Sequence, residues 1–565
     1  FFSKMDIWKK GWNKVSGAGK SVYKAVWGDE GQESSLPPNQ QPQRRGPSPT
    51  QPSYASGFTY KKHDVAIPIT VYGMDIGNQC SHVSVARGGG FDCVLDELTG
   101  KRSCPSMVSF VQKERHIGDK AESQAIRNWR NTAKSVKRLV GLPYDSPQAE
   151  HERKFLRCAT RKAKDGCFEV EMEVHGRKEF FTPEQIMAMV MSKLHTMVRD
   201  EAERTNSKSS NNLHAVLSVP VWLTVPQREK MMAATRIASL GCLGLINDTT
   251  AAALEWGVFR GGQVMAEHGP VIVVFVDVGE SATTISVVSF AEQQIKLLGH
   301  VWDACLGGRD FDYLLFEHFA AEIQRKYSYN VRDDPRSTLK LLQSCERLKK
   351  VFSANPVTSL ECELAELDVK FSDLQRDWFE QLVAPLLQRL SLLINQAQMI
   401  PLPPGTVVHS VEILGGASRI QSVKTTIETL FGVPLSTKLN ADETVAKGSG
   451  VMAAHLSPTM KGQVRRWDLQ DRNMLTIAMA FDDGTEDKAK QHLDLGAMQV
   501  DVTVRQVLFA TYAVIPAAQT VTLPVSSATR RTRVHIFHDT AGYSPAQVQH
   551  IGSPLIGSWD VVGEA

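Results

Sequence analysis

Apolar residues follow two alternating rhythms from Val65 to about Pro458. Runs such as Ile67–Met74, Ala215–Val219 and Val271–Asp277 are strand-sized and bounded by polar or glycine-bearing turns. Between them lie segments whose apolar residues recur every three or four positions. One helix is well announced: Thr182 can cap it, Pro183 suits its first position, and Gln185 completes a capping box. Met187, Met191, Leu194 and Val198 then share a stripe, predicted to be core and not a sulfur ligand set. Leu339–Ala354 reads as a second helix. Leu341, Cys345, Leu348 and Phe352 form its apolar stripe, while Glu346, Lys349, Lys350 and Ser353 share another face. Strands alternating with helices over residues 69–458 predict an α/β fold of two similar lobes.

The two ends obey other rules. Within residues 1–68, Trp8, Trp12, Val15, Val22 and Val26 share one helical stripe, flanked by Lys9, Lys10, Lys14, Lys20 and Lys24. Gly11, Gly17 and Gly19 weaken this basic amphipathic helix. It could lie on an anionic membrane, dock on an assembly, serve as an organelle address, or simply solvate the chain. Gly19-Lys20-Ser21 is no phosphate loop, because Lys14 holds the first glycine's position and no strand precedes it. Met5 reads as the initiator. From Glu33 to Ser56 the segment is rich in Pro, Gln and Ser, hence a flexible linker. Residues 459–473 are polar and basic, a second linker. Beyond them Met474–Phe481, Gln499–Tyr512, Gln519–Val525 and Arg531–His538 read as strands of a small β domain over 474–565.

Composition narrows the classes. With 565 residues, 42% hydrophobic and 22% charged, the chain can bury several cores and is not largely disordered. A net charge of +3 gives no reason to expect nucleic acid. No run approaches the ~18 apolar residues of a spanning helix. Nine scattered cysteines without a Cys-x-x-Cys pair read as reduced core thiols of an intracellular, cytoplasmic protein. The 16 histidines show no metal-ligand spacing.

Candidate chemistry enters with an internal repeat. Val71–Gly77 ends in Asp75-Ile76-Gly77 and is followed by polar residues and the apolar Val83–Ala86. Val273–Gly279 ends in Asp277-Val278-Gly279 and leads likewise into Ile285–Val288. Each reads as strand, tight turn and returning strand. Glycine lets a turn backbone approach a phosphate, and an aspartate at the strand end can hold hydrated Mg²⁺ through water. One such turn means little; two matched copies suggest a phosphate clamp between lobes. Gly307-Gly308 and Gly415-Gly416 also suit close approach to a nucleotide, and a simple turn remains the alternative for each. The Glu346, Lys349, Lys350 and Ser353 face is either solvated or a shelf for a nucleoside.

Five segments in order then carry a family resemblance. They are Met74–Gly77, Ile246–Ala253, Leu306–Asp312, Cys345–Lys350 and Ile413–Ile420. Together they resemble the ATPase domain of the 70-kDa heat-shock chaperones, which has the actin-like fold. Val276–Ser281, Asn247-Asp248 and Leu435–Glu443 look closer to the 110-kDa branch, whose members serve as nucleotide exchange factors and holdases. The resemblance covers roughly Val71 to Pro458 and continues weakly into the β domain, expected to be sandwich-like. It implies ATP or ADP with Mg²⁺ as cofactors. Asp75 and Asp277 match magnesium-water ligands; Lys137, with Asp248 and Asp277, matches the catalytic group. Gly77, Asn78, Gln79, Gly279, Gly307, Gly308, Glu346, Lys349, Lys350, Ser353, Gly415, Gly416, Arg419 and Asp442 match nucleotide-contacting positions.

Departures cluster where the terminal phosphate would sit. Asn78 and Gln79 replace two threonines, Glu280-Ser281-Ala282 loses two glycines and a hydroxyl, Thr284 replaces an aspartate, and Asp248 a glutamate. Lys350 replaces an arginine. Phosphoryl transfer depends on positioning and electrostatics, so hydrolysis should suffer more than binding. The linker Gly462–Gln470 is poor in leucine, so its docking is expected to be weak or constitutive, and the chain ends at Ala565 without the family's helical lid. The leading reading is an ATP-binding co-chaperone or exchange factor for a 70-kDa chaperone, with weak ATPase activity and unfolded polypeptide as a further partner. The alternatives are an active folding ATPase and a structural subunit of a larger assembly.

Overall fold

Two sheets built to one plan dominate the computed structural model, which describes residues 70–87, 90–205, 212–365, 367–460, 466–482, 490–494, 499–510, 513–515, 531–540 and 554–562. The N-terminal helix, its Pro/Gln-rich linker and the strand Gln519–Val525 expected from sequence lie outside those residues. In the first sheet β1 (Thr70–Ile76), β2 (Cys80–Arg87) and β3 (Gly90–Cys93) form an antiparallel meander. On the other side of β1, β4 (Leu213–Val219) and β5 (Gly241–Asn247) add in parallel, giving the order β5-β4-β1-β2-β3. The second sheet repeats this design with β6 (Val271–Val278), β7 (Thr283–Ala291), β8 (Gln294–Asp303), β9 (Val408–Leu414) and β10 (Leu435–Ser436). Its order is β10-β9-β6-β7-β8, again with a meander on one side and parallel strands on the other.

The repeat extends to register. Asp75 lies opposite His82 and Ile76 opposite Ser81; Asp277 lies opposite Thr284 and Val278 opposite Thr283. Both Asp-x-Gly turns therefore close at the same point of their hairpins. Strand β6 shows why its sequence is almost unbroken apolar. Ile272, Val274, Val276 and Val278 face one core cluster and Val271, Val273 and Phe275 another, as a central strand covered on both faces requires.

Helices supply the covers. In α1 (Pro183–Arg204) the Gln185 N–H donates to Thr182 Oγ1 at 3.3 Å and the Thr182 N–H to Gln185 Oε1 at 2.9 Å. Its Met187, Met191, Leu194 and Val198 are buried in the first lobe's core, as the stripe predicts. Helices α2 (Asp248–Trp256), α3 (Gly308–Tyr327), α4 (Pro335–Phe352) and α5 (Thr444–Leu456) surround the cleft between the lobes. Leu341, Cys345, Leu348 and Phe352 of α4 are core residues of the second lobe. Helix α5 returns to the first lobe, where Gly448 meets α2 so closely that a Cβ would lie 1.8 Å from Ala251 O.

The stretch read as a linker is a strand for part of its length. β11 (Asp468–Arg472) pairs in parallel with β8, Leu469 opposite Ile295, and Trp467 and Leu469 are buried in the cluster that joins the lobes. One tryptophan and one leucine thus dock a segment whose docking was expected to be weak or constitutive. Met474 and Leu475, expected to start a strand, instead enter an apolar junction with Val221 and Trp222 of the first lobe and Trp302 and Ala304 of the second.

The β domain follows with β12 (Ile477–Phe481), β13 (Val504–Phe509), β14 (Arg531–His538) and β15 (Leu555–Val562), ordered β13-β12-β14-β15. Both faces of β12 are covered. Ile477, Met479 and Phe481 pack with Leu508 and Val534, while Ala478 and Ala480 pack with Val502 and Phe537. The single strand read over Gln499–Tyr512 is two: Gln499–Val502 pairs with Gln491–Asp494, and β13 pairs with β12. The chain changes sheets at Thr503, whose N–H donates to Phe481 O at 3.2 Å.

Candidate functional site

A cavity of about 1120 Å³ separates the two Asp-x-Gly turns. Of the residues singled out from sequence, Asp75, Gly77, Asn78, Gln79, Lys137, Asp248, Asp277, Gly279, Gly308, Glu346, Lys349, Lys350, Ser353, Gly415, Gly416, Arg419 and Asp442 all line it. Gly307 does not. A Cβ there would lie 2.5 Å from Glu280 O and Ser281 N, so its role is to let α3 close onto the second turn. That contact fastens the turn: the Gly308 N–H donates to Gly279 O at 2.9 Å and the Arg309 N–H to Glu280 O at 2.8 Å.

The inner end of the cavity is a carboxylate cluster. Asp75 ends β1 and accepts from Ser218 Oγ at 2.5 Å. Asp248 opens α2 and accepts from the Thr249 N–H at 2.7 Å. Burial raises its pKa to about 6 against the pull of Lys137. Burial, and then repulsion from Asp248 and Asp75, raise Asp277 to about 7. Lys137 is itself buried, and desolvation lowers its pKa although Asp75 and Asp248 oppose the change. One ammonium among three carboxylates leaves negative charge uncompensated, and hard oxygen donors of this kind suit Mg²⁺. Asp75 and Asp277 would hold the ion, which would supply electrostatic stabilisation of a phosphate.

Glycine at position 415 serves this cluster directly. Its φ is +77°, and a Cβ would meet Asp277 Oδ1 and Val278 O, each at 2.4 Å. Only glycine allows β9 to turn away at that point without displacing the aspartate.

The outer end is a rim of charge pairs. Glu346 accepts from Gln79 Nε2 at 2.9 Å and from Lys350 Nζ at 2.7 Å. Burial works to raise its carboxyl, but Lys350, then Lys134 and Gln79, more than reverse this and hold it at about 2. Arg419 and Asp442 form a two-pronged pair at 3.1 and 2.6 Å. Lys349 differs from the shelf residue expected from sequence. Its ammonium donates to Gly308 O at 2.8 Å and Asp312 Oδ2 at 2.7 Å, tying α4 to α3. Its charge is thereby spent inside the second lobe.

Sequence reasoning missed the groups that hold the lobes together. Glu152 is buried between two guanidiniums, Arg138 Nε at 2.9 Å and Arg309 Nη2 at 2.8 Å. Arg138 also donates to Ala304 O at 2.7 Å, so the triad joins first lobe to second. His151, Glu152 and Cys305 bring three ligand-type atoms within 4.8 Å of one another, yet two guanidiniums on Glu152 leave no place for a cation. Asp471 of the docked strand accepts from Asn247 Nδ2 at 3.0 Å and Thr250 Oγ1 at 2.5 Å, and His300 Nε2 lies 3.6 Å away. The last of the missed contacts is a bond from Asn78 Nδ2 to Glu280 Oε2 across the cleft. Arg309 and Asp248 did stand inside motifs noticed in the sequence; no local signal marked Glu152 or Asp471.

Comparison with known proteins gives one family and a consistent set of relatives. Residues 71–508 match the family described as Hsp70 protein. A heat shock protein homolog of Candida glabrata is 37% identical over 427 residues, 75% of this chain and 60% of that protein. A heat shock protein homolog of Saccharomyces cerevisiae is 36% identical over 421 residues, 74% of this chain and 59% of that protein. The 97 kDa heat shock protein of Strongylocentrotus purpuratus is 37% identical over 422 residues, 74% of this chain and 46% of that protein. The chain thus spans about 60% or less of the length of these relatives.

Proposed function

The chain belongs to the Hsp70 family, on the side of its large heat-shock homologues, and from that premise we propose that it binds ATP or ADP with Mg²⁺ between its lobes and acts in protein folding as a co-chaperone or nucleotide exchange factor for a 70-kDa chaperone. One observation carries the nucleotide half of this reading. Two hairpins in matched register present Asp75 and Asp277 to one cavity, beside Lys137 and Asp248. The rim of Glu346, Lys350, Arg419 and Asp442 supplies polar groups for a nucleoside at the other end of that cavity.

Each group has a physical task in this scheme. The Asp-x-Gly backbones approach phosphate oxygens, Lys137 offsets their charge, and the carboxylates orient the ion's water shell. Turnover is slow in this reading, because Asn78, Gln79 and the Glu280-Ser281-Ala282 turn stand where small hydroxyl and glycine residues would position a terminal phosphate. A nucleotide spanning the cavity favours the closed pair of lobes, and a closed pair offers a partner one defined surface. The partner enters this proposal through the resemblance to the 110-kDa branch, and the apolar junction that joins lobes, docked strand and β domain would make that surface a single unit.

Two measurements test the proposal. Calorimetry with Mg·ATP should show binding that Asp277→Ala weakens by about tenfold or more, and intact protein that binds no nucleotide would end this reading. The chain should also accelerate ADP release from a 70-kDa chaperone. An unchanged release rate at saturating protein removes the exchange role and leaves the nucleotide site in place.

A further inference from the structure

Two residues that depart from the heat-shock pattern find each other in space. Asn78, in the first Asp-x-Gly turn, donates through Nδ2 to Glu280 Oε2 in the second. The same amide lies 3.4 Å from Ser135 Oγ. Its neighbour Gln79 donates to Glu346 on α4. Both amides therefore leave one turn of the first lobe and end on carboxylates of the second.

Neither partner of the Asn78–Glu280 bond is free to drift. Asn78 is 9% exposed. The backbone of the second turn is pinned to the N-terminus of α3 by the Gly279 and Glu280 carbonyls, and Gly307 packs directly beneath it. Glu280 consequently reaches from a rigid turn into the space between the two turns, beside a cluster already rich in carboxylates. Arg309, which follows the glycines that pin this turn, is bonded to Glu152 at 2.8 Å and acts on Glu280 only through space. A terminal phosphate entering that space meets a fixed like charge and an amide whose N–H is already used.

We infer that Glu280 is a built-in surrogate for the terminal phosphate. Its carboxylate spans the turns from one side and Asn78 receives it from the other, so that the site selects nucleoside diphosphate over triphosphate and the lobes are clasped without a terminal phosphate. This inference rests on the nucleotide reading above and adds to it the residue that sets selectivity.

The test uses the intact chain and two variants. Glu280→Gln keeps length and an acceptor for Asn78 but removes the charge; Glu280→Gly removes both. Circular dichroism verifies that each is folded. Calorimetric titration with Mg·ADP and Mg·ATP then gives an affinity ratio for each protein. The intact chain should prefer ADP, and Glu280→Gly should shift the ratio toward ATP by about tenfold or more, with Glu280→Gln between them. Small-angle scattering without nucleotide should show a more open pair of lobes in Glu280→Gly only. Both nucleotides bound with an unchanged ratio in the variants overturns the inference and leaves the nucleotide site standing. No binding of either nucleotide by any of the three proteins overturns the site and the inference together.

Discussion

Replacing Glu152 by glutamine tests whether the buried triad is what holds the lobes closed. Glu152 is 1% exposed and contacts Arg138 and Arg309, themselves 6% and 5% exposed at the side chain, at 2.8–2.9 Å. Glutamine keeps the volume but leaves two guanidiniums in a dry interface without a counter-charge. Breaking a buried pair in this way costs ~3–5 kcal/mol. The carboxyl itself leads to a similar figure. Burial pushes its pKa up, Arg138 and Arg309 pull it further down, and the result is a fall from 4.5 to about 2. At ~1.4 kcal/mol per pH unit that is ~3 kcal/mol. Its sign is clear: a depressed carboxylate contributes fully above pH 4.5 and loses that contribution as pH falls through about 2. Spread over the ~390 residues of the two lobes, that cost should lower the thermal midpoint near neutral pH by about 4–6 °C in Glu152→Gln. The triple change Arg138→Met, Glu152→Leu, Arg309→Met should recover most of it, because apolar groups of similar volume carry no desolvation penalty. A Glu152→Gln protein that unfolds within about 1 °C of the parent would refute the reasoning, since it would mean that water or movement already compensates the charges.

Two further outcomes follow from the packing. Gly448→Ala places a Cβ against the Ala251 carbonyl on α2, a backbone group that cannot swing aside, so urea unfolding should show a loss of ~2–3 kcal/mol or more; an unmoved midpoint counts against the close approach. Asp471→Ala leaves Asn247 and Thr250 without the acceptor they share and removes the carboxylate beside His300, at a cost of ~1–3 kcal/mol. Hydrogen exchange over residues 466–472 should quicken by roughly 5–150-fold, and exchange as slow as in the parent would show that Trp467 and Leu469 dock the strand alone.

Much of the architecture was legible because its signals are local. Capping at Thr182 needs residues three apart, the apolar stripes of α1 and α4 need one helix each, and the Asp-x-Gly hairpin is complete within a few residues. Alternating strands and helices predicted two alike lobes, the hairpin and its copy a clamp between them, and the sheets agree down to the pairing of Asp75 with His82 and Asp277 with Thr284. Position-by-position resemblance carried the cavity lining as far as Glu346, Lys350, Arg419 and Asp442. Where local signals misled, a tertiary partner explains it. Gln499–Tyr512 keeps one strand-like pattern although its halves belong to different sheets, because alternation does not encode which neighbour a strand pairs with. For the leucine-poor linker, read as docking weakly or constitutively, β8 offers an open edge and a core cluster takes Trp467.

The sequence by itself determined the elements, their repetition and the residue types at each turn, since hydrophobic period, caps and glycine positions act over a few residues. Only the tertiary structure decided what those residues do to one another. Glu152 and Arg309 are 157 positions apart, and Asn78 and Glu280 are 202 apart. Whether Glu280 points at solvent or at an amide, and whether Lys349 serves a ligand or Asp312, depends on how two lobes close. That closure is set by Coulomb attraction and desolvation across a shared interface, which act through space and leave no period along the chain.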